Sequence, residues 1–119
     1  MSHWMLPAAL GLNLLILLPL CFALLTRGAG MDQSFGPVTD ARLILTCVYM
    51  AIAVASAGLL AAHWMGVSWA VPATLSLFAV QIIYKLLTAV LVGLSSPVVV
   101  TNLVVVAVQL AAIAALWRA

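Results

Sequence analysis

The chain has 119 residues, of which 68% are hydrophobic and only 5% are charged, and its mean hydropathy is +1.37. A water-soluble domain carries about 25% charged residues, so this composition excludes a soluble globular domain and predicts a protein embedded in a lipid bilayer. The net charge of +2 comes from four basic and two acidic residues, too few for the clustered basic surface that nucleic-acid binding requires.

The first apolar segment covers about residues 6–26 and is long enough to cross the hydrocarbon core of a membrane as a helix. Pro19 lies inside this segment and is expected to kink the helix. A cleaved signal peptide is the alternative interpretation, with a small-residue cleavage site at 28–30. We favour a retained helix, because no Lys or Arg precedes the segment and its apolar core exceeds the roughly 15 residues of a signal peptide.

A polar loop is predicted at residues 27–40, the only long connection between apolar segments. It contains Asp32 and Asp40, which are all the acidic side chains of the chain. Its glycines and its proline are typical of an irregular loop. Thr39 or Asp40 is placed to cap the N-terminus of the following helix.

Three further apolar segments predict membrane-spanning helices at about 41–63, 69–93 and 98–117. The last begins with a run of valines, but a lone strand would leave its backbone unpaired in lipid, so a helix is favoured.

Two segments carry alanine at every fourth position, namely Ala53, Ala57 and Ala61, and Ala107, Ala111 and Ala115. Such stripes of small residues allow membrane helices to approach one another closely.

Four helices that alternate in direction would bring both termini and the turn at 64–68 to one side of the membrane. All four tryptophans then fall on that side, where the interface suits an apolar ring with an N–H donor. They are Trp4, Trp64, Trp69 and Trp117. We therefore predict an all-α, polytopic integral membrane protein in which residues 1–119 form one antiparallel bundle of four transmembrane helices.

The opposite side of the membrane receives most of the positive charge. Arg27, Arg42 and the nearer end of Lys85 lie there, whereas the tryptophan side has Arg118 and the α-amino group. The positive-inside rule then places the polar loop in the cytoplasm and both termini outside. We expect the membrane to be the cytoplasmic (inner) membrane of a prokaryote.

Lys85 is the strongest candidate for a functional residue, because a charge inside a membrane span costs about 3 kcal/mol unless it is compensated. Gln81, Lys85 and Thr88 follow at i, i+4 and i+7 and share one face of the helix. Lys85 would either contact an anion or substrate, or have a structural role by reaching the interface or forming an ion pair. We favour a structural pair with Asp40, with Asp32 as the second choice, that closes the cytoplasmic end of the bundle.

Seven polar residues interrupt the apolar segments, and two of them, Asn13 and Gln109, are expected at similar depth. The set is Asn13, Thr46, Tyr49, Ser56, Gln81, Asn102 and Gln109. Such residues either line a polar pathway or form interhelical hydrogen bonds worth about 0.6 kcal/mol each. Hydrogen bonding is favoured, because no segment carries the central carboxylate that proton-coupled transport usually needs.

Metal, haem and catalytic sites are not expected. His3 and His63 could ligate a haem only from a tail and a helix end, so interfacial positions are favoured for both. Cys21 and Cys47 form no CxxC pair and are interpreted as small buried apolar residues. The sequence has no nucleophile–base set and no glycine-rich phosphate loop, so neither a cofactor nor enzymatic activity is expected.

The first functional hypothesis is a small non-catalytic membrane protein, either an accessory or assembly subunit of a membrane complex or a self-associating bundle. The alanine stripes favour it, because they offer more close-packing surface than one small bundle needs. Its partners would be the lipid bilayer and other copies or subunits. The alternative is a small-solute or ion transporter or channel that uses Lys85, Gln81 and Tyr49.

Overall fold

The computed structural model describes residues 4–26, 28 and 30–118. Within these residues all the regular secondary structure is helical. The five helices are α1 (Met5–Leu25), α2 (Met31–Phe35), α3 (Asp40–Met65), α4 (Ala70–Leu91) and α5 (Pro97–Arg118). All of them except the short α2 are long and apolar enough to cross a membrane. The predicted all-α fold with four membrane-spanning helices is therefore confirmed.

The four long helices form an antiparallel bundle in which each contacts two neighbours. Helix α1 packs against α3 and α5, and α4 packs against the same two helices. The order around the bundle is therefore α1, α3, α4, α5, with α1 diagonally opposite α4. We call the end that carries the four tryptophans the tryptophan end, and the end that carries α2 the loop end.

The short helix α2 lies inside the segment that was predicted to be an irregular loop. Its five residues contain neither glycine nor proline, and Asp32 occupies its first turn. Gly30 and Gly36 flank it with φ angles of +82° and +81°. Glycine adopts such positive φ angles without strain, so the two glycines allow the chain to turn sharply on both sides of α2.

Local signals set the two ends of α3. Thr39 caps its N-terminus, because the Thr39 hydroxyl accepts a 3.3 Å hydrogen bond from the Arg42 backbone N–H. At the C-terminus Gly66 adopts φ +72°, and its N–H donates to the Ala62 and His63 carbonyls. A left-handed glycine of this kind ends many helices because it lets the backbone leave the helix without steric strain.

The side chains are arranged as a bilayer requires, with an apolar outer surface and a mixed interior. Leu15, Val54 and Val90 are each more than 70% exposed on the outside of the bundle. One buried apolar cluster lies toward the tryptophan end and comprises Leu6, Ala9, Leu10, Phe78 and Ala112. A second lies toward the loop end and comprises Leu17, Cys21, Leu24, Tyr49, Ile52 and Ala53.

The alanine stripes face mostly outward. On α3, Ala53 is buried but Ala57 and Ala61 are exposed. Each step of four residues turns about 40° around a helix, so a stripe at this spacing drifts off the face that points into the bundle. On α5, Ala107 and Ala111 are exposed as well.

Candidate functional site

One polar side chain from each membrane-spanning helix meets at the centre of the bundle. Asn13 Nδ2 donates to Ser56 Oγ at 3.3 Å and to Gln81 Oε1 at 3.2 Å. Gln109 Nε2 donates to Gln81 Oε1 at 3.1 Å and to Asn13 Oδ1 at 3.5 Å. All four side chains are at most 1% exposed. We call these four residues the polar tetrad.

The tetrad leaves part of its hydrogen-bonding capacity unused. Gln81 Nε2 and Gln109 Oε1 are buried and have no partner among the described residues. A buried polar atom without a partner costs about 1–3 kcal/mol. The tetrad therefore contributes less to stability than a fully paired network would, and it keeps one donor and one acceptor free at mid-membrane.

A cavity of about 380 Å³ lies between the tetrad and the loop end. Asn13 belongs to both, so the tetrad forms the inner limit of the cavity. Helices α1 and α5 supply most of the lining. The polar side chains that line it are Asn13, Tyr49, Tyr84, Lys85, Thr101 and Asn102.

Lys85 is the one charged residue among those that line this cavity. It is 5% exposed, and its Nζ lies 5.9 Å from the centroid of the Tyr84 ring, within the range of a cation–π contact. It stands one helical turn from Gln81 on the same inward face of α4. Thr88 is half-buried, and its hydroxyl donates to the Lys85 carbonyl at 2.6 Å, so it bonds within its own helix.

The expected ion pair between Lys85 and Asp40 is not formed between these two described residues, so that hypothesis is wrong. Among the described residues, Arg42 forms an ion pair with Asp32 instead. Arg42 lies on the inward face of α3, and Asp40 precedes it by two residues, or about 200° around the helix. Asp40 is accordingly exposed and borders a shallow outer groove with Leu43 and Cys47.

Helix α2 covers the loop end of the cavity. Met31 and Phe35 line the cavity, and the Phe35 ring meets the Tyr49 ring edge-on with centroids 6.1 Å apart. Arg42 Nη1 donates to the Asp32 carboxylate and, at 2.8 Å, to the Gly36 carbonyl. Arg42 therefore ties both ends of α2 to the start of α3.

Sequence reasoning missed the role of Arg42, which it used only to orient the chain in the membrane. Arg42 is 3% exposed, and its Nη2 has no partner among the described residues. A signal was present, because Arg42 lies at the same helical phase as Thr46 and Tyr49, which were predicted to face inward. All three are buried on one face of α3.

The remaining candidate residues lie away from the cavity or on its border. His63 Nε2 lies 2.9 Å from Thr74 Oγ1 and links α3 to α4, whereas His3 lies outside the described residues. Cys21 is buried, as expected, but Cys47 is exposed on the outer face of α3. The prediction for Cys47 was wrong because a small apolar side chain is equally suited to lipid and to a helix interface.

The chemistry of the cavity suits an anion. An ammonium group lies in a mostly apolar space, and both carboxylates of the chain lie elsewhere, Asp32 with Arg42 and Asp40 on the outer surface. A buried cation attracts an anionic group strongly, because little water screens the interaction.

Comparison of the chain with protein-family models, with curated proteins and with solved structures gives no match.

Proposed function

We propose that this protein is a non-catalytic, small-solute transporter whose substrate carries a negative charge and binds Lys85. The observation that carries the proposal is a buried ammonium on the wall of a 380 Å³ cavity that no acidic residue lines. Ligand sites in proteins have volumes of about 300–1,000 Å³. An ionisable residue inside a membrane span is also a functional candidate by default, because its burial is costly.

The position of the tetrad supports transport rather than simple binding. The cavity ends at Asn13, near the middle of the bundle, and beyond it Leu10, Phe78 and Ala112 are fully buried against one another. A solute in the cavity is therefore closed off from the tryptophan end. To pass, it must separate hydrogen bonds worth about 0.6 kcal/mol each, and the free Gln81 Nε2 donor offers the anion a hydrogen bond in their place.

Uptake into vesicles tests this function. The purified protein is reconstituted into liposomes, and the uptake of labelled benzenesulfonate, an anion that stays charged at neutral pH, is measured. We expect Lys85→Met to reduce uptake to the level of protein-free vesicles and Lys85→Arg to retain most of it. Equal uptake by the wild type and Lys85→Met, or no uptake above protein-free vesicles, would contradict the proposal.

The second candidate function is that of a self-associating bundle or an accessory subunit of a larger membrane complex. The outward-facing small residues Ala57, Gly58 and Ala61 on α3 favour it. Gly58 has no heavy atom within 4 Å of the position where a Cβ would lie, so a neighbouring helix has room to approach there.

The mass of the particle extracted in mild detergent tests this second candidate. We expect a defined oligomer or a stoichiometric complex that dissociates in Gly58→Leu, because a larger side chain keeps two helices apart. Ala79→Leu is the matched control, since Ala79 is exposed on a different helix, α4. A monomer in native membranes, measured by crosslinking, argues against association.

For the orientation we propose that the loop end lies in the cytoplasm and that both termini lie outside, in the inner membrane of a prokaryote. Arg42 and Lys85 lie in the half of the bundle next to the loop end. By its place in the sequence, Arg27 belongs to the connection between α1 and α2. The tryptophan end has Arg118 alone among lysines and arginines. This asymmetry favours a cytoplasmic loop end by the positive-inside rule.

A further inference from the structure

The cavity opens sideways, between α1 and α5. Of the residues that line it, three are exposed, namely Pro19, Pro97 and Thr101, and all of them belong to these two helices. Pro19 lies six residues, or about 9 Å, inside the end of α1. With a hydrocarbon core of about 30 Å, the opening therefore reaches into the acyl-chain region of the surrounding lipids.

The polarity of the lining changes from the interior to this opening. Lys85, Tyr49 and Asn13 are buried and form the inner part of the cavity. Toward the opening the walls are apolar, with Ile16 and Leu20 on α1 and Val98 on α5. The Thr101 hydroxyl at the opening donates to the Pro97 carbonyl at 3.0 Å and is thus already paired within its own helix.

The size of the cavity limits what it can hold. At ~30 Å³ for a group the size of a water molecule, 380 Å³ accommodates about a dozen non-hydrogen atoms. This space fits an anionic headgroup and several carbons. The glycerol and ester groups of a two-chain phospholipid would lie against the apolar walls at the opening without hydrogen-bond partners. A small inorganic anion would leave the apolar walls without contacts.

We infer that the substrate is a single-chain anionic amphiphile with a carboxylate head, such as a fatty acid, which enters from the membrane between α1 and α5. Its carboxylate contacts the Lys85 ammonium, and its chain runs out past Val98 and Thr101 into the lipid. The chain stays in an apolar environment throughout, so entry requires no transfer of apolar surface through water. This inference rests on the proposed function and specifies the substrate of the same site.

Photolabelling in the bilayer tests the inference. The full chain is reconstituted into phosphatidylcholine vesicles with dodecanoate that carries a diazirine at mid-chain, and the labelled residues are mapped by mass spectrometry. We expect labelling on residues 16–23 of α1 and 98–105 of α5. Loss of a charge-assisted bond should reduce this labelling about tenfold in Lys85→Met, whereas Lys85→Arg should retain it.

A second pair of variants leaves Lys85 in place and tests the lateral entry. Thr101→Phe adds bulk at the opening, and we expect it to reduce labelling at least fivefold. Val100→Phe is the matched control and should label as the wild type does, because Val100 is exposed on the same helix but does not line the cavity.

Three results would overturn the inference, and they separate it from the proposed function. Equal labelling of the same residues by diazirine-bearing dodecanol would show that the charge is irrelevant. Equal labelling of Thr101→Phe and Val100→Phe would exclude entry between α1 and α5. If dodecanoate does not label the cavity but Lys85-dependent uptake of benzenesulfonate persists, the substrate is not a fatty acid and the transport proposal stands. If both experiments fail, the inference and the proposed function are both contradicted.

Discussion

The amide of Gln81 is the centre of the polar tetrad, because its Oε1 accepts hydrogen bonds from both Asn13 and Gln109. Its Nε2 has no partner among the described residues. The two ends of this one side chain thus differ: the oxygen holds helices α1, α4 and α5 together, whereas the nitrogen is free. In lipid, where apolar side chains gain little by leaving their surroundings, such polar contacts supply much of the specificity of helix pairing.

The stability lost on substitution in the tetrad should depend on which atoms are left without a hydrogen-bond partner. Gln81→Leu removes the acceptor of two donors and should lower the free energy of unfolding by about 1–3 kcal/mol. Gln109→Leu should cost at least as much, because it also removes two hydrogen bonds and leaves Asn13 Oδ1 without a partner among the described residues. In Gln81→Leu both donors keep a second acceptor, Ser56 Oγ for Asn13 and Asn13 Oδ1 for Gln109. Thermal denaturation in detergent provides the comparison, with Ser76→Ala on the exposed face of α4 as the control. A larger loss in Gln81→Leu would contradict this order.

Among the elements, α2 depends most on the rest of the molecule. Five residues are far too few to form a stable helix alone, because the first turn costs more conformational entropy than one hydrogen bond returns. Arg42 and the Phe35–Tyr49 ring contact hold it in place, and the flanking glycines let the chain turn at both of its ends. Met31 and Phe35 of α2 thereby cover the loop end of the cavity that contains Lys85.

Weakening the attachment of α2 should speed hydrogen exchange in residues 31–35 without unfolding the bundle. The Asp32 carboxylate is 57% exposed, so its pair with Arg42 is worth at most about 1 kcal/mol. Asp32→Asn should therefore raise the local exchange rate up to about fivefold. Gln33→Ala, an exposed position on the same helix, is the control. Unchanged exchange in Asp32→Asn would show that other contacts hold α2.

At the scale of the whole molecule, the bundle is asymmetric along the membrane normal. The half near the tryptophan end is packed with apolar side chains such as Leu6 and Phe78, whereas the half near the loop end holds the cavity, Lys85 and Arg42. The charged half and the packed half therefore face opposite sides of the membrane, and this difference underlies the proposed orientation.

Labelling of single cysteines in intact bacterial cells tests the orientation. In a background that carries Cys21→Ala and Cys47→Ser, Ser68→Cys lies in the exposed turn between α3 and α4, and Gln33→Cys lies on the exposed side of α2. A membrane-impermeant maleimide should label Ser68→Cys in intact cells and Gln33→Cys only after permeabilisation. The opposite pattern would place the loop end outside.

The sequence by itself determined the four membrane spans and the inward position of their amide side chains and of Tyr49. Composition and segment length decide the first, because few charged residues and apolar runs of about 20 residues have one stable solution in a bilayer. The second follows because an amide or phenol group in a membrane span finds polar surroundings only inside the bundle, whereas a hydroxyl such as that of Ser76 donates to its own helix and faces outward. Asn13, Tyr49, Gln81 and Gln109 are accordingly all buried.

Only the tertiary structure decided which groups meet. Asp32 pairs with Arg42 rather than Asp40 with Lys85, and Ala57 and Ala61 of α3 point outward, because the rotation of each helix about its axis depends on its packing against two neighbours at once. The cavity beside Lys85 likewise depends on how the helices pack against one another. It is a gap between α1 and α5 covered by α2, and no residue pattern within one helix specifies the space left between three of them.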